Sequence, residues 1–172
     1  MCLPHIITLY DVLTAHWFRL IPALVSNAKH TNLINAEFSS AVFTPIIEGI
    51  NSEMDAGFLA SLYKCFADSL RSLGRAAISD VNYASFITAT RHQLHSLATK
   101  RQMRAERIHG RDWQEEQEDM MLMEELEGFA LDEVQNALEL FDPSDALLVA
   151  IGSIRGIHLP QGSQPDSHAN EA

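Results

Sequence analysis

Cysteine is nearly absent from these 172 residues, with only Cys2 and Cys65, and neither has a CxxC neighbour. Two isolated cysteines exclude a disulfide framework and a zinc ribbon; they read as buried thiols of an intracellular protein. No apolar run approaches the roughly 20 residues that a membrane-spanning helix needs. The first residues, Met1–Leu9, are apolar, but they lack a basic leading region and a small-residue cleavage site, so no secretory signal is expected. Glycine and proline are sparse, 8 and 6 in all, and several stand where helices would stop. Positive charge is also short. Twelve lysines and arginines against 23 carboxylates give a formal net charge of −11, which argues against DNA or RNA as a main partner.

Nucleophile–base arrangements and phosphate-cradling loops are missing as well. His109-Gly-Arg-Asp112 has a faint likeness to a kinase catalytic loop, but no Gly-rich loop and no DFG accompany it. His92 and His95 form an i,i+3 pair without the further ligands of a structural zinc site, and Cys65 has no evident base beside it. An enzyme is not expected, and neither a cofactor nor a metal is called for.

What the chain does hold is helical periodicity, almost from end to end. With 47% hydrophobic residues it has enough apolar surface for one real core. The opening places Ile6, Tyr10, Leu13, Trp17, Leu20 and Leu24 three or four apart, with a kink or a pair of helices expected near Asp11 and Pro22. A second helix is expected from Asn35 to Ile50 on Phe38, Val42, Ile46 and Ile50, bent or broken at Pro45. The third starts at an Asp55 cap, carries Phe58, Leu62, Phe66, Leu70 and Leu73, and stops at Gly74. Ser79-Asp80 offers the next cap, and Tyr83, Ile87, Thr90, Leu94 and Leu97 follow. Arg101, Arg104 and Ile108 continue that register, so this helix is expected to outlast its core and project with arginines in place of apolar residues.

The sharpest feature comes next. Lys100, Arg101, Arg104, Arg107 and Arg111 form a basic stretch, and from Asp112 to Glu139 there follow eleven carboxylates and no lysine or arginine. Gly110 divides the two. The acidic helix is expected to carry its early carboxylates where the helix dipole favours them, with an apolar stripe of Leu122, Leu126, Phe129, Val134, Leu138 and Phe141. Arg101, Arg104 and Arg107 could pair with Glu115, Glu116 and Glu118 across the turn, at roughly 0–1 kcal/mol for each exposed pair. Leu131, Val134, Leu138 and Leu140 have export-signal spacing, but a core helix needs the same residues. Asp142-Pro143-Ser144 makes a turn with Pro143 near the first position of a last helix, whose stripe is Leu147, Leu148, Ile151 and Ile154. The residues after Leu159 cannot pack and are expected to be disordered.

Residues 1–159 are therefore expected to be an all-α domain with a charged insert at 100–128, followed by a disordered tail at 160–172. Segments 6–10 and 147–151 are apolar nearly all round, which suits helices sandwiched between neighbours. This favours a solenoid of antiparallel helix pairs of the HEAT-repeat, armadillo-like kind over a closed bundle.

Particular stretches also resemble a known family. Phe58-Leu-Ala-Ser-Leu-Tyr-Lys-Cys-Phe-Ala-Asp-Ser-Leu-Arg-Ser-Leu-Gly74, then Phe86 to Leu97, then Lys100-Arg-Gln-Met-Arg-Ala-Glu-Arg107 resemble the middle repeats of karyopherin-β import receptors of the importin beta-4 and importin-5 type. Met120–Leu131 and Phe141–Ile154 continue the likeness, which covers about Phe38 to Ile157 and more weakly Ile21-Pro-Ala-Leu24. The Asp-then-Val-Arg ladder common in HEAT repeats is missing, since Asp11-Val12 leads to Leu-Thr-Ala-His. The resemblance implies a middle piece or truncated product of a longer receptor, acting between cytoplasm and nucleus, without the repeats that provide most Ran binding. It implies basic cargo and Ran-GTP as partners, met by an acidic insert of Asp112, Glu115, Glu116, Glu118, Asp119, Glu124 and Glu125. The other reading of the same residues is a generic helical scaffold or regulatory subunit, with the acidic run only a solvated face.

Overall fold

The computed structural model describes residues 18, 20–31, 35–107 and 113–158, with the side chains of 113–116 outside the description. Helix α1 is seen over residues 20–30. It is followed by α2 (Ala36–Ser52), α3 (Ala56–Leu73), a short 3₁₀ turn (Arg75–Ala77), α4 (Asp80–Glu106), α5 (Trp113–Leu138) and α6 (Asp145–Arg155). There is no strand among the described residues.

Local chemistry sets the helix starts. The Asn35 side chain accepts from the Phe38 amide at 2.8 Å, Asp55 from Phe58 at 2.7 Å, and Ser79 from Asn82 at 3.1 Å. Each satisfies one of the amides that a helix leaves without an internal partner. Gly74 ends α3 with φ +90°, a conformation that a Cβ resists, while its amide still donates to the Leu70 carbonyl.

Of the bend or break expected at Pro45, the break does not occur. Helix α2 runs unbroken through Pro45, although the ring removes one helical hydrogen bond. Val42, Phe43, Ile46, Ile47 and Ile50 are buried on both sides of it, and that apolar face holds the helix together. Pro143 lies ahead of the Ser144 cap, not inside the first turn of α6.

Packing skips one helix at a time. Helix α2 lies against α3 and α4, α3 chiefly against α5, and α4 against α6. Helices α2, α4 and α6 thus form one row, and α3 and α5 a second row beside it. The centre is aromatic: Phe66 stacks on Phe86 with centroids 4.1 Å apart, Phe43 meets Phe66 edge-on, and Phe141 closes the cluster. Arg75 caps it, its guanidinium 4.6 Å from the Phe141 ring centre and 4.9 Å from that of Tyr83. Two polar side chains that enter the core are paired across helices, whereas the buried Ser69 hydroxyl has no hydrogen-bond partner among the described residues. Tyr63 donates to Thr90 at 3.0 Å, and Gln93 donates to the carbonyls of Ile50 and Glu53 at the end of α2.

Two expected stripes, on α1 and α5, are shifted in phase, and two others differ in extent. On α1 the buried residues are Ile21, Val25 and Ala28, while Leu20 and Leu24 are exposed; Ile6 to Trp17 lie outside the described residues. On α5 the buried face is Glu127, Ala130, Leu131, Val134, Ala137 and Leu138, and Leu122 and Phe129 point to solvent. On α4 the core does not end at Leu97. Arg101 occupies the next inward position and is itself buried. On α6, Leu147, Ile151 and Ile154 are buried, but Val149 is exposed, so that helix is covered on one side only.

Candidate functional site

Helix α5 carries nearly the whole acidic run, and packing sorts its carboxylates into two sets. Glu127 faces inward, one turn ahead of Leu131, and is buried with Arg101. All three nitrogens of the Arg101 guanidinium donate: Nε to Glu127 Oε2 at 3.1 Å, Nη1 to the Ile154 carbonyl at 3.1 Å, and Nη2 to the Glu124 carbonyl at 3.0 Å. One side chain therefore ties α4, α5 and the end of α6 together. Arg104 grips the same carboxylate bidentately, with Nη1 donating to Oε1 at 2.9 Å and Nη2 to Oε2. The arginines expected to project from α4 instead neutralise a buried acid. Their partner among the described side chains is Glu127 and not Glu118, while the side chains of Glu115 and Glu116 lie outside the description.

The burial of Glu127 has a signal in the sequence. It falls in phase with Leu131, Val134 and Leu138, as Arg101 falls in phase with Leu94 and Leu97. Opposite charges in core register on two helices are a signal for a buried pair.

The second set faces water. Glu118, Asp119 and Glu125 are exposed, and no cation reaches them among the described residues. Glu124 is half-buried, and its Oε1 lies 2.8 Å from His158 Nδ1. Further along, Asp132 accepts from Arg155 at 2.6 Å. Glu115 and Glu116 belong to the first turns of α5 by backbone, and Asp112 lies outside the described residues. The structure thus places Glu118, Asp119 and Glu125 together on solvent, and draws Glu124 partly back into the fold.

Beside this helix is a cleft of about 390 Å³, between the end of α4, the middle of α5 and the α2–α3 turn. Met54, Met103, Met123 and Leu126 line it, with Lys100 and Arg107 among its other walls. Lys100 donates to the Met54 carbonyl at 3.0 Å.

Other residues of chemical interest are placed plainly. His92 and His95 are exposed, and no group of three or more His, Cys, Asp or Glu among the described residues could hold a metal ion. Cys65 is buried, and burial pushes its thiol up to about 11. Leu131, Val134 and Leu138 are wholly buried, so the export-signal spacing belongs to the core. No described helix is long and apolar enough to cross a membrane. Cys2, Gly110 and the residues after His158 lie outside the described residues.

No curated protein and no solved structure matches the chain. Residues 58–141, which run from the first turn of α3 to the turn after α5, match the family model described as Importin repeat 6. Over that stretch, just under half of the 172 residues, the sequence is similar to an importin repeat.

Proposed function

We propose that this chain is part of a karyopherin-β nuclear import receptor, of the importin beta-4 or importin-5 type, that shuttles between cytoplasm and nucleus. It works by binding and performs no chemistry. Its partners are basic cargo proteins and Ran-GTP. Two observations support the family reading: the match of residues 58–141 to the importin repeat, and the packing of each helix on its next-but-one neighbour. That packing is how an α-solenoid of helix pairs is built, with the two rows as its two layers.

The observation that carries the binding reading is the uncompensated acidity of α5. Glu118, Asp119 and Glu125 are exposed on a helix that contains no lysine or arginine. Carboxylates clustered without counter-charge create a local negative potential that speeds encounter with a cationic surface. The acids that serve the fold, Glu127 and Asp132, are already paired.

The test is association with a basic import cargo, measured against salt, for the parent and for Glu118→Gln/Asp119→Asn/Glu125→Gln. Since screening acts over about 8–10 Å at physiological ionic strength, the parent rate should fall steeply with salt and the variant rate should be slower and flatter. Within the longer receptor, which holds the repeats that provide most Ran binding, addition of Ran-GTP should release the cargo. Coincident curves for the two proteins would reduce the acidic run to a solvated face.

A further inference from the structure

Helix α5 has two apolar faces, and only one of them is covered. The inward face runs through Ala130, Leu131, Val134, Ala137 and Leu138. On the opposite side, Glu118, Leu122, Glu125, Phe129 and Asp132 follow at spacings of four, three, four and three, all exposed. That spacing keeps them on one narrow stripe of a 3.6-residue helix. Met121 borders it. Met121, Leu122 and Phe129 are 58%, 55% and 54% exposed. The solvent side of a surface helix is normally polar, and large apolar side chains in phase with one another mark an interaction surface.

We infer that this outer stripe of α5 is a docking site for a basic amphipathic helix. Leu122 and Phe129 are two turns apart, about 10 Å along the axis at 1.5 Å per residue, so an opposing helix can place apolar residues at i and i+7 on both. Glu118 and Glu125 alternate with them and have no cation partner among the described residues, which selects lysine or arginine at the flanking positions. Phe129 also offers a ring face to an arginine. An acidic partner is repelled by the same carboxylates.

This deepens the basic-partner reading above and rests on it, so the two must be able to fail separately. The probes are three labelled synthetic peptides titrated into the full chain by fluorescence anisotropy. One is a helical peptide of leucine and lysine with its apolar residues at i, i+3, i+4 and i+7. The second has the same composition scrambled, and the third has glutamate for lysine. The helical basic peptide should bind, and Leu122→Ser/Phe129→Ser should weaken it roughly tenfold or more, from the apolar area no longer buried. Val149→Ser, which removes an equally exposed apolar group on α6, should change nothing. Circular dichroism of each variant should match the parent, because all three side chains are exposed.

Equal binding of the scrambled peptide would overturn the helix-docking site while leaving the acidic segment as a basic-partner surface. No binding of either basic peptide would overturn both readings. Binding of the glutamate peptide, or equal sensitivity to Val149→Ser, would overturn the site. So would a chain that sediments as a dimer and becomes monomeric with Leu122→Ser/Phe129→Ser, since the occupant would then be a second copy.

Discussion

Arg101 and Glu127 meet in the protein interior, Nε to Oε2 at 3.1 Å, with both side chains only 4% exposed. Neither charge could stay there alone. The carboxylate is held by two guanidiniums, and Arg101 also satisfies two backbone carbonyls. The pair fixes how the end of α4 lies against α5 and α6.

Breaking this network from its two ends should cost unequal amounts. Glu127→Leu leaves two guanidiniums facing each other without an anion, whereas Arg101→Leu leaves Glu127 still paired with Arg104. Removing one partner of a buried ion pair typically costs about 3–5 kcal/mol. Glu127→Leu should therefore lower the thermal midpoint more than Arg101→Leu does. Equal losses would mean that the carbonyl contacts of Arg101 matter as much as the charge.

Replacing Gly74 tests the backbone rather than packing. A Cβ at this position meets nothing within 4 Å, so space is not the constraint. The φ of +90° is. Gly74→Ala should destabilise by about 1–3 kcal/mol, and Gly74→Asn should cost as much, because φ +90° with ψ 158° lies outside the left-handed helical well that asparagine tolerates. Urea unfolding with an unchanged m value would show the effect to be local strain.

Cys65 should be inert while the protein is folded. With its thiol pushed up to about 11, little thiolate exists near neutral pH, and the side chain is buried besides. Modification by a thiol reagent at pH 7–8 should require unfolding and accelerate with urea. The linkage runs downward with pH: the unfolded thiol ionises near 9.0, the folded one near 11, so the folded state loses stability between those values. Cys65→Ala should remove that part of the alkaline decline. If the decline is unchanged, other groups cause it.

Gln93 offers a fourth check. Its amide donates to Ile50 O at 2.6 Å and Glu53 O at 2.9 Å, tying the end of α2 to α4. Gln93→Leu leaves both carbonyls without that donor, at about 1–3 kcal/mol for a buried unsatisfied group. Hydrogen exchange should then rise at the end of α2 first.

Helix existence and most boundaries were legible from caps and stops: Asn35, Asp55, Gly74 and Ser79 stand at the ends observed. Facing was harder. Leu122 and Phe129 look like core residues by type, and Arg101 looks like a surface residue by type, yet each lies on the other side. A helix with apolar residues on two faces leaves its rotation undetermined until a neighbour is present.

The linear sequence determined the class of structure, the acidity of one segment and its order after a basic one. Those follow from period, capping chemistry and charge, which act within a few residues. Only the tertiary structure decided which carboxylates are spent. Glu127 is consumed because α4 brings two guanidiniums to it across more than twenty residues of chain. Glu118 and Glu125 face solvent because the opposite face of α5 is occupied by α3 and α6. The division between acids that hold the fold and acids that can meet a partner is a matter of distance in space, which spacing along the chain does not contain.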